Sequence, residues 1–513
     1  MTAFPFATFR SGQRESLDAI RSAFDGGHRF VVLDAPTGAG KSAVAVALAR
    51  EASSAYVLTG QKLLQDQYLR DFPDLSLMKG RANYDCLVIP THAAAAPCLV
   101  GRRYEACDAC PYFRAKDVAM AADGTVMNYA YFLHEVNFGG GFGERDLLVL
   151  DEAHGIEGAL MQFAEVRLTD ADLARTGVQA QLPQGPDVEV HLDAAIELIP
   201  RLRERSSQLA VRQQGLPTGS GELAALLRAR RWLDGTVHRL SLLQDDVEEG
   251  GRWVVDRDRD ADGVAVAFRP VDVAALAEPL LFRYGARVLM MSATVLDAET
   301  YLRALGIDPA AAAVVQADAT FPPQNRPIRL RPAARLTRHY LSRDLPRLVD
   351  AVAELMRMHP DEKGVVHAHS YKIARAITEG LPPELATRVR SHASAADRDA
   401  ALTAHLDARE PTVLVTPSMT EGIDLADDRA RWQAICKIPY PYLGDPQVAA
   451  RREIDPSWYA WRTCLRVVQA YGRSVRSRDD HAVTYLLDAD FPAFLKRERG
   501  RLPGWFLEAI EEA

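Results

Sequence analysis

Short apolar runs separated by stretches with helical spacing fill the first half of the chain. Phe30–Asp34, Ala55–Thr59, Thr125–Asn128, Leu147–Asp151 and Arg287–Ser292 are predicted strands, with helices such as Ser42–Glu51 and Lys62–Asp71 between them. These runs are apolar throughout rather than alternating, so both faces of each strand must be covered. That pattern predicts a parallel sheet between two layers of helices. The alternation resumes after Pro322, where Gly364–His367, Thr412–Thr416, Gln433–Ile438 and Ala482–Leu487 predict a second sheet of the same kind. Phe321-Pro322-Pro323 and Arg326-Pro327 read as the linker between the two halves.

Two segments break the rhythm. Residues 81–112 have no clear period and carry Cys86, Cys98, Cys107 and Cys110. Residues 166–250 lack buried-strand patterns and contain two helical stretches, Leu192–Arg212 and Gly221–Asp245. In the first, Leu192, Ile196, Ile199 and Leu202 recur near helical spacing. Arg252–Asp256 and Gly263–Phe268 then predict a hairpin around Arg257–Asp262. No internal repeat or low-complexity tract appears beyond the short Ala93–Ala96 run.

The chain has 513 residues, enough for roughly three domains at about 150 residues each. Its 61 Lys and Arg against 69 Asp and Glu leave a net charge of −8, which disfavours a uniformly basic coat while allowing a local basic groove. No apolar run approaches the roughly 18 residues that span a bilayer, and Met1–Arg10 does not resemble a secretory signal. A cytoplasmic protein is expected. In that compartment the clustered cysteines read as metal or redox chemistry rather than disulfides. Their spacing, C-x11-C-x8-C-x2-C, permits zinc or an iron–sulfur cluster without deciding between them. Cys436 and Cys464 read as core residues.

The candidate chemistry begins at Ala35-Pro36-Thr37-Gly38-Ala39-Gly40-Lys41-Ser42, which follows a predicted strand and opens a predicted helix. Glycines there let backbone N–H groups approach phosphate, and the helix N-terminus adds its dipole. Lys41 is the candidate for the β/γ-phosphates and Ser42 for Mg²⁺. Asp151-Glu152-Ala153-His154 ends the run Leu147–Leu150, placing carboxylates at the strand end where such sheets bind ligands. Asp151 is the second candidate magnesium group, and Glu152 the group that orients and deprotonates the attacking water. Gln469-Ala470-Tyr471-Gly472-Arg473-Ser474-Val475-Arg476 lies in the second half. Arg473 and Arg476, three apart, could share a helix face and stabilise charge on the γ-phosphoryl. Taken alone, the acidic tetrapeptide also reads as a helix start, and the arginines as a solvated face.

Taken in order, these motifs resemble the XPD/DinG group of iron–sulfur superfamily 2 DNA helicases over nearly the whole chain. Phe9, Arg10 and Gln13 resemble the adenine-reading motif, Asp34–Ser42 motif I, Thr59–Gln67 motif Ia, and Asp151–His154 motif II. Met291–Thr294 resembles motif III, His369–Tyr371 motif IV, Thr420–Asp424 motif V with Ile438–Pro441 as its companion, and Gln469–Arg476 motif VI. Ser477–His481 departs from the pattern, since relatives often place Asp-x-Gly there.

The resemblance implies two RecA-like domains with ATP between them. Arg10, Gln13, Thr37, Gly38, Ala39, Gly40, Lys41, Ser42, Gly422, Asp424 and Gln469 would bind the nucleotide. Cys86, Cys98, Cys107 and Cys110 would hold a 4Fe–4S cluster. The implied layout is a first helicase domain over 1–80, 113–165 and 251–320, a cluster insertion at 81–112, a helical arch at 166–250 and a second helicase domain at 321–513. The implied activity is ATP-driven 5′→3′ movement on single-stranded DNA with unwinding of forked duplexes. Tyr84, Tyr104, Tyr112 and Phe113 are candidates either for stacking on bases or for packing the cluster segment. A monomer of bacterial or phage origin is expected, with no membrane partner. Two other readings stay open: a nucleic-acid-stimulated ATPase that remodels protein–DNA complexes without unwinding, and a non-catalytic DNA-binding module. His367 and His369 alternate on a predicted strand and read as packing or hydrogen-bonding residues rather than a metal pair.

Overall fold

A computed structural model describes the chain except residues 1–2, 37, 61, 89–91, 97, 99–104, 218–219, 261–262, 318–320, 395, 418–424, 426, 473–474, 476–479 and 512–513. The strands are β1 (Phe30–Asp34), β2 (Ala55–Thr59), β3 (Ser76–Leu77), β4 (Gly124–Asn128), β5 (Arg145–Asp151), β6 (Val166–Thr169), β7 (Trp253–Asp260), β8 (Gly263–Pro270), β9 (Gly285–Ser292) and β10 (Ala312–Gln316). They continue with β11 (Ile328–Ala334), β12 (Gly364–His367), β13 (Val389–Ser391), β14 (Val413–Thr416), β15 (Trp432–Ile435), β16 (Val483–Asp488) and β17 (Ile510–Glu511).

Two all-parallel sheets of seven strands form the two α/β halves, in the orders β10-β1-β9-β5-β2-β4-β3 and β13-β14-β12-β15-β16-β11-β17. The inner strands are buried on both faces, as their unbroken apolar sequences require. Register decides what meets at the carboxyl edge of the first sheet. Asp34 pairs with Ser292 across β1 and β9, and Met291 pairs with Asp151 across β9 and β5. Three motifs far apart in sequence therefore end on adjacent strands at one level.

The interrupted region contains more strand than its pattern suggests. β6, β8 and β7 form an antiparallel sheet, with β6 pairing to β8 across the whole helical segment. β6 went unread because four residues are too few to show a period. The helices Val188–Gln213 and Gly221–Glu248 start at Asp187 and Ser220, whose side chains accept backbone N–H groups. They bury Leu198, Leu202 and Leu209 against Leu226, Leu233 and Leu240.

The second half grips the first through polar contacts. Trp458 Nε1 donates to both Glu157 carboxylate oxygens at 2.8 and 3.0 Å. Trp461 Nε1 donates to the Val295 carbonyl at 2.8 Å. Arg269 on β8 is clasped by Asp445 at 2.8 Å and by Asp256, while Gln447 donates to the Pro270 carbonyl at 2.5 Å. Arg451 lies 3.1 Å from Asp272.

Other differences from the sequence reading fall at or next to sheet edges and at strand ends. β10 exposes Val314 and Gln316, and β11 exposes Arg329, Arg331 and Pro332, so neither shows the two-sided burial of the inner strands. β15 ends at Ile435 rather than Ile438, whose N–H turns to the Asp488 carboxylate at 3.2 Å.

Gly364 on β12 lies beside Trp432 on β15, and an added Cβ would sit 2.1 Å from the indole ring. Trp432 is fully buried. Gly364→Ala is expected to destabilise the protein by about 1–3 kcal/mol through overpacking. Chemical denaturation should show a lower midpoint, and an unchanged midpoint would contradict this packing.

Candidate nucleotide site

The phosphate loop leaves β1 and turns into the helix Lys41–Glu51. Gly38 and Gly40 have φ of 85° and 78°, the left-handed region that disfavours residues with a Cβ. At Gly40 a Cβ would also lie 2.0 Å from Gln13 Nε2. Gln13 donates to the Gly40 carbonyl at 3.1 Å, while its own side-chain oxygen accepts from Arg10 N at 2.7 Å. Arg10 reaches the Gly38 carbonyl at 3.3 Å. Lys41 Nζ folds back across the loop, donating to the Ala35 carbonyl at 3.0 Å.

The acidic pair stands at the end of β5. Asp151 Oδ1 accepts the Glu152 N–H at 2.9 Å, and Oδ2 accepts the Tyr68 hydroxyl, also at 2.9 Å. The Asp151 backbone carbonyl accepts from Tyr129 OH at 2.8 Å. Burial, then the neighbouring Glu152 carboxylate, push the Asp151 carboxyl up to about 6, against the pull of Lys41. Burial likewise raises Asp34, whose Oδ1 accepts the Val295 N–H at 3.3 Å. Glu152 has φ of 53°, a left-handed conformation that costs a non-glycine residue about 1–3 kcal/mol and clusters at functional sites. His154 Nδ1 lies 3.3 Å from Glu152 Oε2 and 3.0 Å from Ser292 Oγ. Ser292 in turn accepts the Ala35 N–H through its carbonyl at 3.0 Å and the Thr294 N–H through its hydroxyl at 3.1 Å. A continuous polar path thus runs from the phosphate loop through Ser292 and His154 to Glu152.

The structure brings Arg10, Gln13, Gly38, Ala39, Gly40 and Lys41 together around the loop, with Ser42 in the first turn behind it. Thr37, Gly422, Asp424, Arg473 and Arg476 lie outside the described residues, as does Tyr104. Gln469 sits on the helix Pro456–Tyr471, its amide nitrogen buried without a hydrogen-bond partner. Sequence reasoning missed Tyr68. Its only signal was the 3–4 spacing of Gln65, Tyr68 and Phe72 along one buried helix face.

The cysteine segment is less converged. Arg81 Nη1 lies 3.8 Å from Cys98 Sγ, and the Val88 N–H points to Cys86 Sγ at 3.4 Å. Burial raises the Cys98 thiol, and Cys107 and Cys110 lie near enough to add to the shift. Among the described residues, no three His, Cys, Asp or Glu side chains are grouped to hold a metal ion. The four thiols as placed therefore do not form a closed cage. Tyr112 is fully buried and bonds Tyr131 and Glu135, so it packs the segment and is closed to bases. Cys436 and Cys464 are buried in the second half, their thiols pushed up by desolvation. His367 bonds the Gln433 side chain at 3.2 Å.

Two parallel α/β sheets, the first ending in a phosphate loop beside an acidic pair, define a fold of two RecA-like domains. The family described as helicase C-terminal domain matches residues 352–509, and that described as type III restriction enzyme, res subunit, matches residues 6–169. A solved XPD helicase aligns over 96% of this chain and 98% of its own, with a TM-score of 0.64 at 16% identity. Xpd4 of S. tokodaii covers 98% and 99% at a TM-score of 0.58 and 15% identity. The chain shares the fold of these XPD structures, and each of its two halves matches one of the two family models. Among curated relatives, the ATP-dependent DNA helicase CHL1 of Candida albicans is 32% identical over 116 residues, which is 19% of this chain and 13% of that protein. Regulator of telomere elongation helicase 1 of Homo sapiens is 29% identical over 102 residues, 17% of this chain and 8% of that protein. The match thus spans about a tenth of those relatives' length. Among the described residues no helix is long and apolar enough to cross a membrane.

The raised Asp151 carboxyl fixes the sign of a stability effect. The folded state holds this proton up to about 6, whereas an unfolded Asp releases it near 3.9. Ionised Asp151 therefore costs stability above pH 6, and that cost is absent below about pH 4. Asp151→Asn is expected to raise the melting temperature of the nucleotide-free protein at pH 8, with the gain shrinking towards pH 4. An equal change at both pH values would contradict the assignment.

Proposed function

We propose that this protein is an ATP-driven motor that moves 5′→3′ along single-stranded DNA and unwinds forked duplexes. The observation that carries the reading is the meeting of Lys41, the Asp151–Glu152 pair and the Ser292 relay at one sheet edge. In this reading Arg10 and Gln13 frame the adenine. Lys41 leaves the Ala35 carbonyl for the β/γ-phosphates, and loop N–H groups cradle them. Ser42 and Asp151 would hold Mg²⁺, which neutralises charge on the phosphates. Both side chains are polar neighbours of the Tyr68 hydroxyl, so the donor set suits a small hard cation.

Glu152, half-buried and held by its backbone, orients the attacking water and takes its proton. Arg473 and Arg476 stabilise the charge that develops, and Gly422, Asp424 and Gln469 complete the nucleotide site from the second half. The contact of His154 with Ser292 carries the state of the γ-phosphate to β9. DNA as the track is supported by the CHL1 relatives, which are named ATP-dependent DNA helicases. The domain layout given above and a 4Fe–4S cluster on Cys86, Cys98, Cys107 and Cys110 belong to the same proposal. Tyr84 and Phe113, only partly buried, remain candidates for base stacking.

Lys41→Ala is expected to lower ATP turnover more than about 100-fold, the scale of losing one charge-stabilising donor. Glu152→Gln should keep nucleotide binding and lose about 100-fold or more in turnover. ATPase assays with and without single-stranded DNA, followed by forks with 5′ or 3′ tails, test the motor. Stimulation without strand separation would leave a remodelling translocase instead. Anaerobically purified protein should contain iron and absorb visible light, both lost in Cys107→Ser. Iron-free protein that unwinds forks would remove the cluster from the proposal.

A further inference from the structure

Tyr68 stands on the inward face of the helix Lys62–Asp71 and is 2% exposed. A phenylalanine would fill the same space. A buried phenol oxygen needs partners, so its hydroxyl requires a reason of its own. Its hydroxyl donates to Asp151 Oδ2 at 2.9 Å. The Ser42 hydroxyl is a second hydrogen-bonding neighbour of the phenol. Both neighbours are the side chains assigned to magnesium above.

The proton count makes this arrangement directional. A phenol has one proton to give and lone pairs to receive another. With its own proton on Asp151, Tyr68 can only accept from Ser42. Ser42 then spends its single proton on Tyr68, and its lone pairs are left for a cation. Asp151 keeps Oδ2 fixed by Tyr68 and Oδ1 fixed by the Glu152 N–H, so the carboxylate plane cannot rotate freely. We propose that Tyr68 is a positioning residue for the catalytic cation, orienting Ser42 and Asp151 together so that both present lone pairs to it. This inference rests on the nucleotide-site reading given above. Partners that orient metal ligands in this way are commonly worth about 10–100-fold in metal affinity.

The test uses the full chain and its Tyr68→Phe variant. Mn²⁺, a paramagnetic substitute for Mg²⁺, is titrated by electron paramagnetic resonance with a non-hydrolysable ATP analogue bound. The variant is expected to bind Mn²⁺ about tenfold or more weakly, while analogue binding in excess chelator stays unchanged. The Mg²⁺ concentration for half-maximal ATPase should rise by the same factor, and turnover at saturating Mg²⁺ should return to within about threefold of the parent. Equal Mn²⁺ affinity in the two proteins would overturn the proposal. So would a turnover loss that excess Mg²⁺ does not repair, which is the signature of damaged packing. A parent protein that binds no metal–nucleotide complex would instead remove the underlying site reading, and this inference with it.

Discussion

Everything at the candidate site depends on the hydrogen-bond register between β1, β9 and β5. A parallel ladder offers no hairpin to set its alignment, so burial of apolar side chains on both faces must do it. The ladder pairs Asp34 with Ser292 and Met291 with Asp151, and from that level the phosphate loop, Glu152 and the Ser292–Thr294 turn all emerge. A slip of one residue along β5 would turn Asp151 to the opposite face and break its contact with Tyr68. The apolar content of the inner strands is therefore part of the chemistry, because it holds polar groups at a fixed height.

The site also concentrates cost. Asp151 and Asp34 are carboxyls whose ionised forms burial disfavours, and Glu152 adopts a backbone conformation uncommon outside glycine. The two carboxyl costs are offset locally by directed hydrogen bonds: Tyr68 OH and Glu152 N–H on the Asp151 carboxyl, and Val295 N–H on Asp34. Such an arrangement suits a cleft whose charge is completed by a cation and a polyanion, since the groups are already desolvated before either arrives.

How much of this could be read from the sequence follows from where each residue's partners lie. The inner strands were legible because burial on both faces leaves an unbroken apolar run. The phosphate loop was legible because its glycines, lysine and serine are neighbours in sequence. β10, an edge strand, and β11, next to the edge, were not, because strands at or beside a sheet edge keep exposed positions that dilute the pattern. β6 was hidden by its length and by a pairing partner nearly a hundred residues away. Tyr68 was hidden for a related reason: its meaning lies in a bond to a residue 83 positions distant. The cysteine spacing announced a cluster of thiols, but spacing alone carries no information on whether four sulfurs point to one centre.

The bond from Arg269, which also pairs with Asp256 inside the hairpin, to Asp445 ties the β7–β8 hairpin to the helix Pro446–Ile454 of the second half. The same hairpin is continuous with the long helical pair and, through β6, with the first sheet. The insertion is thus a linkage anchored at both ends rather than a free appendage. Any change in the angle between the two halves must either carry the hairpin along or tear a partly buried arginine from the Asp445 carboxylate. The helical pair would then act as a pointer, turning small rotations at the cleft into larger displacements at its tip.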